Sequence, residues 1–234
     1  MQQGKSNIEQ VELSIIVPIY NGEEYIREKI ASLKDIKNLS YEVIISLNES
    51  SDKSEELLNY CINGNYRFKI LKQTTFLPGL ENYIRAFTSA NGSFIMASAV
   101  DDICEKDFYR EAIDMLVNTK DIVAVSPLSS FTDNSHGKVP IDFELIGSTE
   151  NRLRTLFRNI RVSHGIFYSL MRHETASELN RNYVSTYSFI GGDWFYDTKL
   201  AILGKVLRSR RYRCIFGVKG ISNSKDYLKG TQSN

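Results

Sequence analysis

The chain has 234 residues, 42% of them apolar, and a formal charge of +1, which is enough for one sizeable core and favours one domain over two. That near-neutral balance argues against wholesale nucleic-acid binding, which leaves a basic excess over a domain. The polar Met1–Gln10 does not read as a secretory signal, no run approaches the ~18–20 apolar residues of a membrane span, and Cys61, Cys104 and Cys214 lack CxxC spacing and read as reduced thiols.

After a polar tail over residues 1–11, Leu13-Ser14-Ile15-Ile16-Val17 is a β-branched run ending at Pro18. Asn21-Gly22 follows, then Ile26, Ile30 and Leu33 at helical spacing, so strand, loop and helix are predicted. Glu42 to Leu47 repeats the pattern through the turn Asn48-Glu49-Ser50-Ser51 into a helix with Leu57, Leu58 and Cys61 inward. Tyr66 to Leu71 is a third strand, and Leu80, Tyr83, Ile84 and Phe87 make an amphipathic helix after Pro78-Gly79. A fourth strand, Ser93 to Ser98, delivers Asp101-Asp102, with Phe108, Ala112, Met115 and Leu116 marking the next helix.

Apolar strands alternating with one-faced helices imply a mostly parallel sheet covered on both faces, with all the strand carboxyl ends on one edge. Tyr20-Asn21, the Asn48 to Asp52 turn and Asp101-Asp102 would converge there, where open α/β sheets bind ligands. Adjacent carboxylates at a crevice suit a hard cation, and they equally suit a solvated helix start. Asn48 can offer a donor and an acceptor to a nucleobase edge; helix capping is the competing reading for Asn21 and the favoured one for Asp52.

The second half is less regular. Ile122 to Val125 is a predicted strand ended by Pro127, Phe131 to Ile146 reads as an irregular stretch, and Ser148 caps a basic helix carrying Leu153, Leu156, Phe157 and Ile160. Ile166 to Leu170 reads as a strand after His164-Gly165. Gly191-Gly192-Asp193 opens a helix at Trp194 with Leu200 and Leu203 inward, where Asp193 is either an N-cap or a carboxylate able to take a proton from a hydroxyl. Core packing is the favoured role for Tyr183, Tyr187, Phe189, Trp194, Phe195 and Tyr196 over sugar stacking, and for His164 over catalysis. From Lys199 onward the only acid is Asp226 among many Lys and Arg residues, a run that reads equally as solvated surface or as a seat for phosphate or anionic lipid.

Ser14 to Gly22 resembles the opening of family 2 glycosyltransferases of the GT-A fold, and Asn48-Glu49-Ser50-Ser51-Asp52-Lys53-Ser54 resembles their second-strand turn. Pro78 to Asn82 with Ala86, Ala90 and Gly92 is similar to their third-helix pattern. Asp101-Asp102 falls on their metal motif, and Gly191-Gly192-Asp193-Trp194 with Leu200-Ala201 and Gly204 on the region of their catalytic base.

The resemblance spans residues 12–225 and implies a single α/β GT-A (Rossmann-like) domain. Residues 12–118 would be its nucleotide-binding half, 119–225 its acceptor-side half, and 226–234 a tail. It implies inverting, hexosyltransferase-like transfer from a nucleotide-sugar donor, usually a UDP-sugar, to a saccharide or lipid-linked saccharide. Such transfer belongs to cell-surface polysaccharide or lipopolysaccharide synthesis, in the cytoplasm or at the inner face of the membrane, any membrane contact being peripheral. Asp101 and Asp102 would hold Mn²⁺ or Mg²⁺, with Asp101 also near ribose; Asp193 would be the base; Pro18, Tyr20, Glu23, Asn48 and Asp52 would shape the nucleoside pocket.

Two departures stand out: Ala99 replaces the first acid of the metal motif, and Leu47 stands where the turn usually begins with Asp. They favour the rival expectation of a non-catalytic GT-A-like nucleotide-binding or scaffold module. A nucleotidyltransferase on a related fold is disfavoured, because the first strand lacks a triphosphate loop rich in Gly, Arg and Lys.

Overall fold

A computed structural model describes residues 10–131, 142–160, 164–181 and 192–217. In chain order the first half contains β1 (Leu13–Ile19), α1 (Ile26–Lys34), β2 (Tyr41–Leu47), α2 (Ser54–Ile62), β3 (Phe68–Lys72), α3 (Gly79–Phe87), β4 (Phe94–Ala97), β5 (Ile103–Cys104) and α4 (Phe108–Asn118). The second contains β6 (Ile122–Phe131), α5 (Thr149–Asn159), α6 (His164–Phe167), β7 (Leu170–Arg172), α7 (His173–Asn180), α8 (Gly192–Leu203) and β8 (Lys205–Phe216). The strands form one sheet in the order β3-β2-β1-β4-β7-β6-β8-β5.

β1 pairs in parallel with β2 and β4, and β2 with β3. β7 runs antiparallel to both β4 and β6, so β6 and its parallel partner β8 point the same way as β1. Carboxyl ends from both halves of the chain therefore meet on one edge, and the sheet is continuous across residue 118.

Strand period explains the layering. Leu13, Ile15, Val17 and Ile19 face one core with Ile26, Ile30 and Leu33 of α1, Leu58 of α2 and Phe108, Ala112 and Leu116 of α4. Ile16, Ile44 and Ile95 face the other, with Tyr83 of α3, Leu156 of α5, Ile166 of α6, Leu179 of α7 and Leu200 of α8. Each such aliphatic side chain contributes about 1.5–3 kcal/mol on burial.

The start of β4 allows no side chain at all. A Cβ on Gly92 would lie 2.5 Å from the Ser14 nitrogen and 2.7 Å from the Leu13 carbonyl carbon, both main chain of β1. Gly92→Ala is expected to cost about 2–3 kcal/mol by forcing two strands apart, read as a lower midpoint in urea. The site edge lies at the other end of these strands, so ligand affinity of the folded fraction should be unchanged.

Several expectations need correction. The third strand begins at Phe68 rather than Tyr66, which is exposed, and β6 continues through Pro127 to Phe131. Pro127 is tolerated because the β6–β8 register breaks there: Ser126 faces Arg208, but Leu128 faces Arg213. Ser209–Tyr212 bulge out between them, tied by the Arg211 and Tyr212 N–H groups donating to Ser209 Oγ at 3.2 and 2.9 Å.

The expected strand over Ile166–Leu170 is a helical turn, α6, and then β7. Short apolar runs carry no decisive period, and Ile166 is drawn under β6 into the core. β5 and β8 were not anticipated. The two pair antiparallel, bringing Cys104 opposite Cys214. The basic run divides accordingly: Arg208 is buried against Asp142 at 3.0 Å and Lys205 pairs with Asp121, while Arg210, Arg211 and Arg213 are exposed. Ser148 does cap α5, its Oγ accepting from the Asn151 N–H at 3.3 Å.

Candidate functional site

At the carboxyl edge the β1–α1 and β2–α2 loops are stitched to each other. Asn21, in the left-handed region at φ 48°, donates its N–H to Ser50 Oγ at 3.1 Å and accepts from the Ser51 N–H at 2.8 Å. The Gly22 N–H donates to Ser54 Oγ at 2.8 Å. Glu23 gives its N–H to Asp52 at 2.9 Å and accepts from the Lys53 N–H at 2.9 Å. Asp52 also accepts from the Ser54 N–H at 3.0 Å in the first turn of α2. Burial raises the pKa of this carboxyl, but the Ser54 hydroxyl and the Glu23 and Ser54 amides outweigh that and hold it below the usual range. Asp52 therefore braces the entry to α2 from the position before its N-cap, Lys53, and Asn21 locks two loops instead of capping a helix.

Asn48 is spent in a comparable way. Its Oδ1 accepts from the N–H groups of Leu77 at 2.9 Å and Glu49 at 3.2 Å, and its Nδ2 donates to the Leu77 carbonyl at 2.7 Å. The fold thus engages both ends of an amide that the sequence offered to a nucleobase edge. Buried at 3% exposure, Asn48 anchors the loop before α3. That anchoring sets Phe76 edge-on to Tyr20, with ring centroids 5.0 Å apart, and leaves Phe76 47% exposed. Half-buried Pro18 leads into this wall from β1, opposite Ser46 of β2. Leu47 lies in the core, so no carboxylate stands where the turn begins.

The carboxylate pair sits between β4 and β5. Asp102 is buried: its Oδ1 accepts from the Gly217 N–H at 3.0 Å, and its Oδ2 has no hydrogen-bond partner among the described residues. Burial, opposed by the charge of Lys29 and aided by that of Asp101, pushes its pKa up to about 7. Lys29, 1% exposed on α1, reaches under the loop and donates at 2.6 Å both to Ser98 Oγ and to the Asp102 carbonyl. Half-buried Asp101 lies against Gly217, where an added Cβ would fall 2.0 Å from its Oδ2. The end of β8 thus closes directly over the pair.

α8 begins at Gly192 and not at Trp194, which puts Asp193 in its first turn instead of at the cap. Gly192 abuts Leu80 of α3, where a Cβ would meet Cδ2 at 2.8 Å. Asp193 is half-buried, and its Oδ1 accepts from the Trp194 N–H at 3.0 Å. Tyr168 links the two halves of the site. Burial first, then the charges of Asp102, Asp101 and Asp193, raise its pKa well above the ordinary phenol value, so one side chain senses all three carboxylates. Trp194 and Phe195 are 48% and 42% exposed, which departs from core packing, whereas Tyr196 is buried.

A GT-A arrangement of this kind is matched in sequence as well as in shape. Residues 14–178 match the profile described as Glycosyl transferase family 2. The chain belongs to that family. Among curated relatives, abequosyltransferase RfbV of Salmonella typhimurium is 32% identical over 99 residues, which are 41% of this chain and 29% of RfbV. EpsH of Bacillus subtilis is 28% identical over 122 residues, 52% and 35% of the two chains. The chain spans about a third of the length of these relatives.

Solved structures of the same fold include S. aureus TarS 1-349 in complex with UDP-GlcNAc, with TM-score 0.71, 17% identity and coverage of 94% of this chain and 64% of that one. Another is the mannosyltransferase PcManGT from Pyrobaculum calidifontis in complex with GDP-Man and Mn2+, with TM-score 0.66, 17% identity and coverage of 92% and 59%. The fold expected from sequence, an α/β GT-A domain parallel in its core with helices on both faces, is the one observed.

Within this family 2 site, three contributors escaped the sequence reading. Lys29 carried a signal, a charge on the inward stripe Ile26, Lys29, Ile30, Leu33. Gly217 and Tyr168 carried none, because tertiary contact alone brings them in. Gly191, Tyr183, Tyr187, Phe189, the side chain of His164 and everything beyond Gly217, Lys219, Lys225, Asp226, Lys229 and the tail included, lie outside the described residues.

The donor set fits a hard divalent cation: a buried carboxylate oxygen without a partner beside a second carboxylate. Among the described residues no third His, Cys, Asp or Glu joins them. A cation held by these two carboxylates alone would leave positions for ligand oxygens. No helix among the described residues is long and apolar enough to cross a membrane.

Proposed function

We propose that this edge carries out inverting, hexosyltransferase-like transfer of a sugar from a nucleotide-sugar, a UDP-sugar in the first instance, to an acceptor hydroxyl. The observation that carries the reading is the buried Asp102 oxygen left without a partner among the described residues, beside Asp101 at the carboxyl edge of a family 2 domain. Family membership, the name of RfbV and the UDP-GlcNAc bound to TarS support it from outside.

In this reading the Tyr20–Phe76 wall and the Pro18 end of β1 flank the base, and the locked loops at Glu23, Asn48 and Asp52 fix the nucleoside pocket without reorganising. Asp101 and Asp102 would hold Mn²⁺ or Mg²⁺, which supplies positive charge where the diphosphate departs. Lys29 holds the loop that carries them. Asp193 accepts the proton of the acceptor hydroxyl as that oxygen attacks the anomeric carbon from the face opposite the diphosphate. The acceptor would be a saccharide or lipid-linked saccharide of a cell-surface polysaccharide, handled on the cytoplasmic side of the membrane.

Ala99 and Leu47 favour one rival, a nucleotide-binding module without turnover. Titration of UDP with and without Mn²⁺, followed by sugar-nucleotide turnover against saccharide acceptors, separates the two. Metal-supported UDP binding with UDP release from a UDP-sugar is the expected result; binding without turnover supports the rival, and no UDP binding overturns both.

A further inference from the structure

Tyr168 lies on the turn between α6 and β7, closed by the Ser169 N–H donating to the Ile166 carbonyl at 3.1 Å. Its ring is held from two sides. Phe167 meets it edge-on with centroids 5.0 Å apart, and Phe216 lies 5.6 Å away, tilted by 33°. Phe216 directly precedes Gly217, whose N–H binds Asp102 and whose Cα rests against Asp101. A single aromatic contact thus separates Tyr168 from the carboxylate pair.

The ring is fixed, but its hydroxyl is uncommitted. Among the described residues no hydrogen bond involves it, and Tyr168 is half-buried. A phenol drawn partly out of water without a partner costs roughly 1–3 kcal/mol until something bonds it. Burial first, and then the nearby carboxylates, keep it protonated, so it offers an O–H donor and an acceptor oxygen without adding negative charge beside an anionic diphosphate. Cation and diphosphate belong at Asp101–Asp102, and the acceptor hydroxyl belongs at Asp193. The space between them falls to the transferred sugar, which is rich in hydroxyls of the same dual character.

We propose that the Tyr168 hydroxyl hydrogen-bonds the transferred sugar of the donor and sets how tightly the sugar, as distinct from the nucleotide, is held. This rests on the donor-site reading above. Tyr168 is then a specificity residue: a site built around a hydrogen bond to a substrate hydroxyl discriminates against ligands that cannot complete it.

The test is Tyr168→Phe, which keeps the ring and both aromatic contacts. UDP, UDP-GlcNAc and GDP-mannose are titrated calorimetrically with Mn²⁺ into wild type and variant. UDP affinity should hold within about twofold, while the nucleotide sugar that wild type binds best loses about five- to tenfold. The ratio of nucleotide-sugar to UDP affinity is internal to each protein, so partial unfolding does not mimic the effect. Equal loss for UDP and nucleotide sugar, or no loss for either, overturns the role of Tyr168 and leaves the donor site standing. Failure of wild type to bind any of the three overturns the donor-site reading, and this proposal with it.

Discussion

Asp193→Asn is expected to lower sugar transfer by roughly 10²–10⁴-fold while leaving UDP affinity within about twofold. The substitution is nearly isosteric. The Asn carbonyl oxygen can still accept from the Trp194 N–H, now at 3.0 Å, so the first turn of α8 keeps its geometry. What disappears is the ability to hold a proton between nucleophilic attack and product release. Asp193 makes no hydrogen bond to the carboxylate loop, so the donor end should not register the change. UDP release under single-turnover conditions, beside calorimetric UDP titration, makes the measurement. Release within about threefold of wild type would remove Asp193 from the role of base, because a lost general base costs far more than that.

The second large effect is expected at Asp102, with pH as the variable. Its carboxyl, raised to about 7, is mostly protonated below neutrality, and a protonated carboxyl is a poor ligand for a hard cation. Mn²⁺-supported UDP affinity should therefore fall by up to about tenfold per unit as pH drops below about 7, and level off above about 8. Asp102→Asn should flatten that profile at the low plateau. Asp101→Asn should weaken metal-supported binding while keeping the slope, since Asp102 remains to titrate.

Stability moves in the opposite direction in the absence of metal. A carboxyl whose folded pKa lies above its unfolded value contributes stability that is fully present below about pH 4 and is lost as pH rises through about 7. The metal-free protein should thus lose this contribution progressively between about pH 4 and 7, and Mn²⁺ with UDP should restore most of it at the alkaline end. A wild-type profile without pH dependence between about pH 6 and 8 would exclude Asp102 as the ligand.

Much of the first half of the chain was legible because its signals are local. β1 and β2 are continuous β-branched runs, α1 and α4 carry apolar residues at helical spacing, and the polar loops follow the strand ends directly. The same locality explains the losses. β8 mixes Lys, Arg and Ser into its alternation and carries a four-residue bulge, so no fixed period survives along it. Pro127 read as a strand end because a missing N–H ends a ladder unless the partner strand bulges, and that bulge is contributed by β8. Asn48 and Leu77 are 29 residues apart, and nothing local to Asn48 shows that its amide is already engaged.

By itself the amino-acid sequence determined the α/β class, and it singled out the carboxyl edge of the sheet and the carboxylates Asp101, Asp102 and Asp193 as the candidates for function. Those follow from side-chain period and chain direction, which short stretches of sequence encode. The tertiary structure alone decided which residues govern those carboxylates. Lys29 reaches Asp102 across 73 positions, and Gly217 reaches it across 115. Tyr168 is held beside the pair by Phe216, at the end of a strand that the sequence did not announce. The physical reason is that charge and desolvation act through space: the same Asp102 that reads as an ordinary solvated acid acquires a pKa of about 7 because the fold takes it out of water.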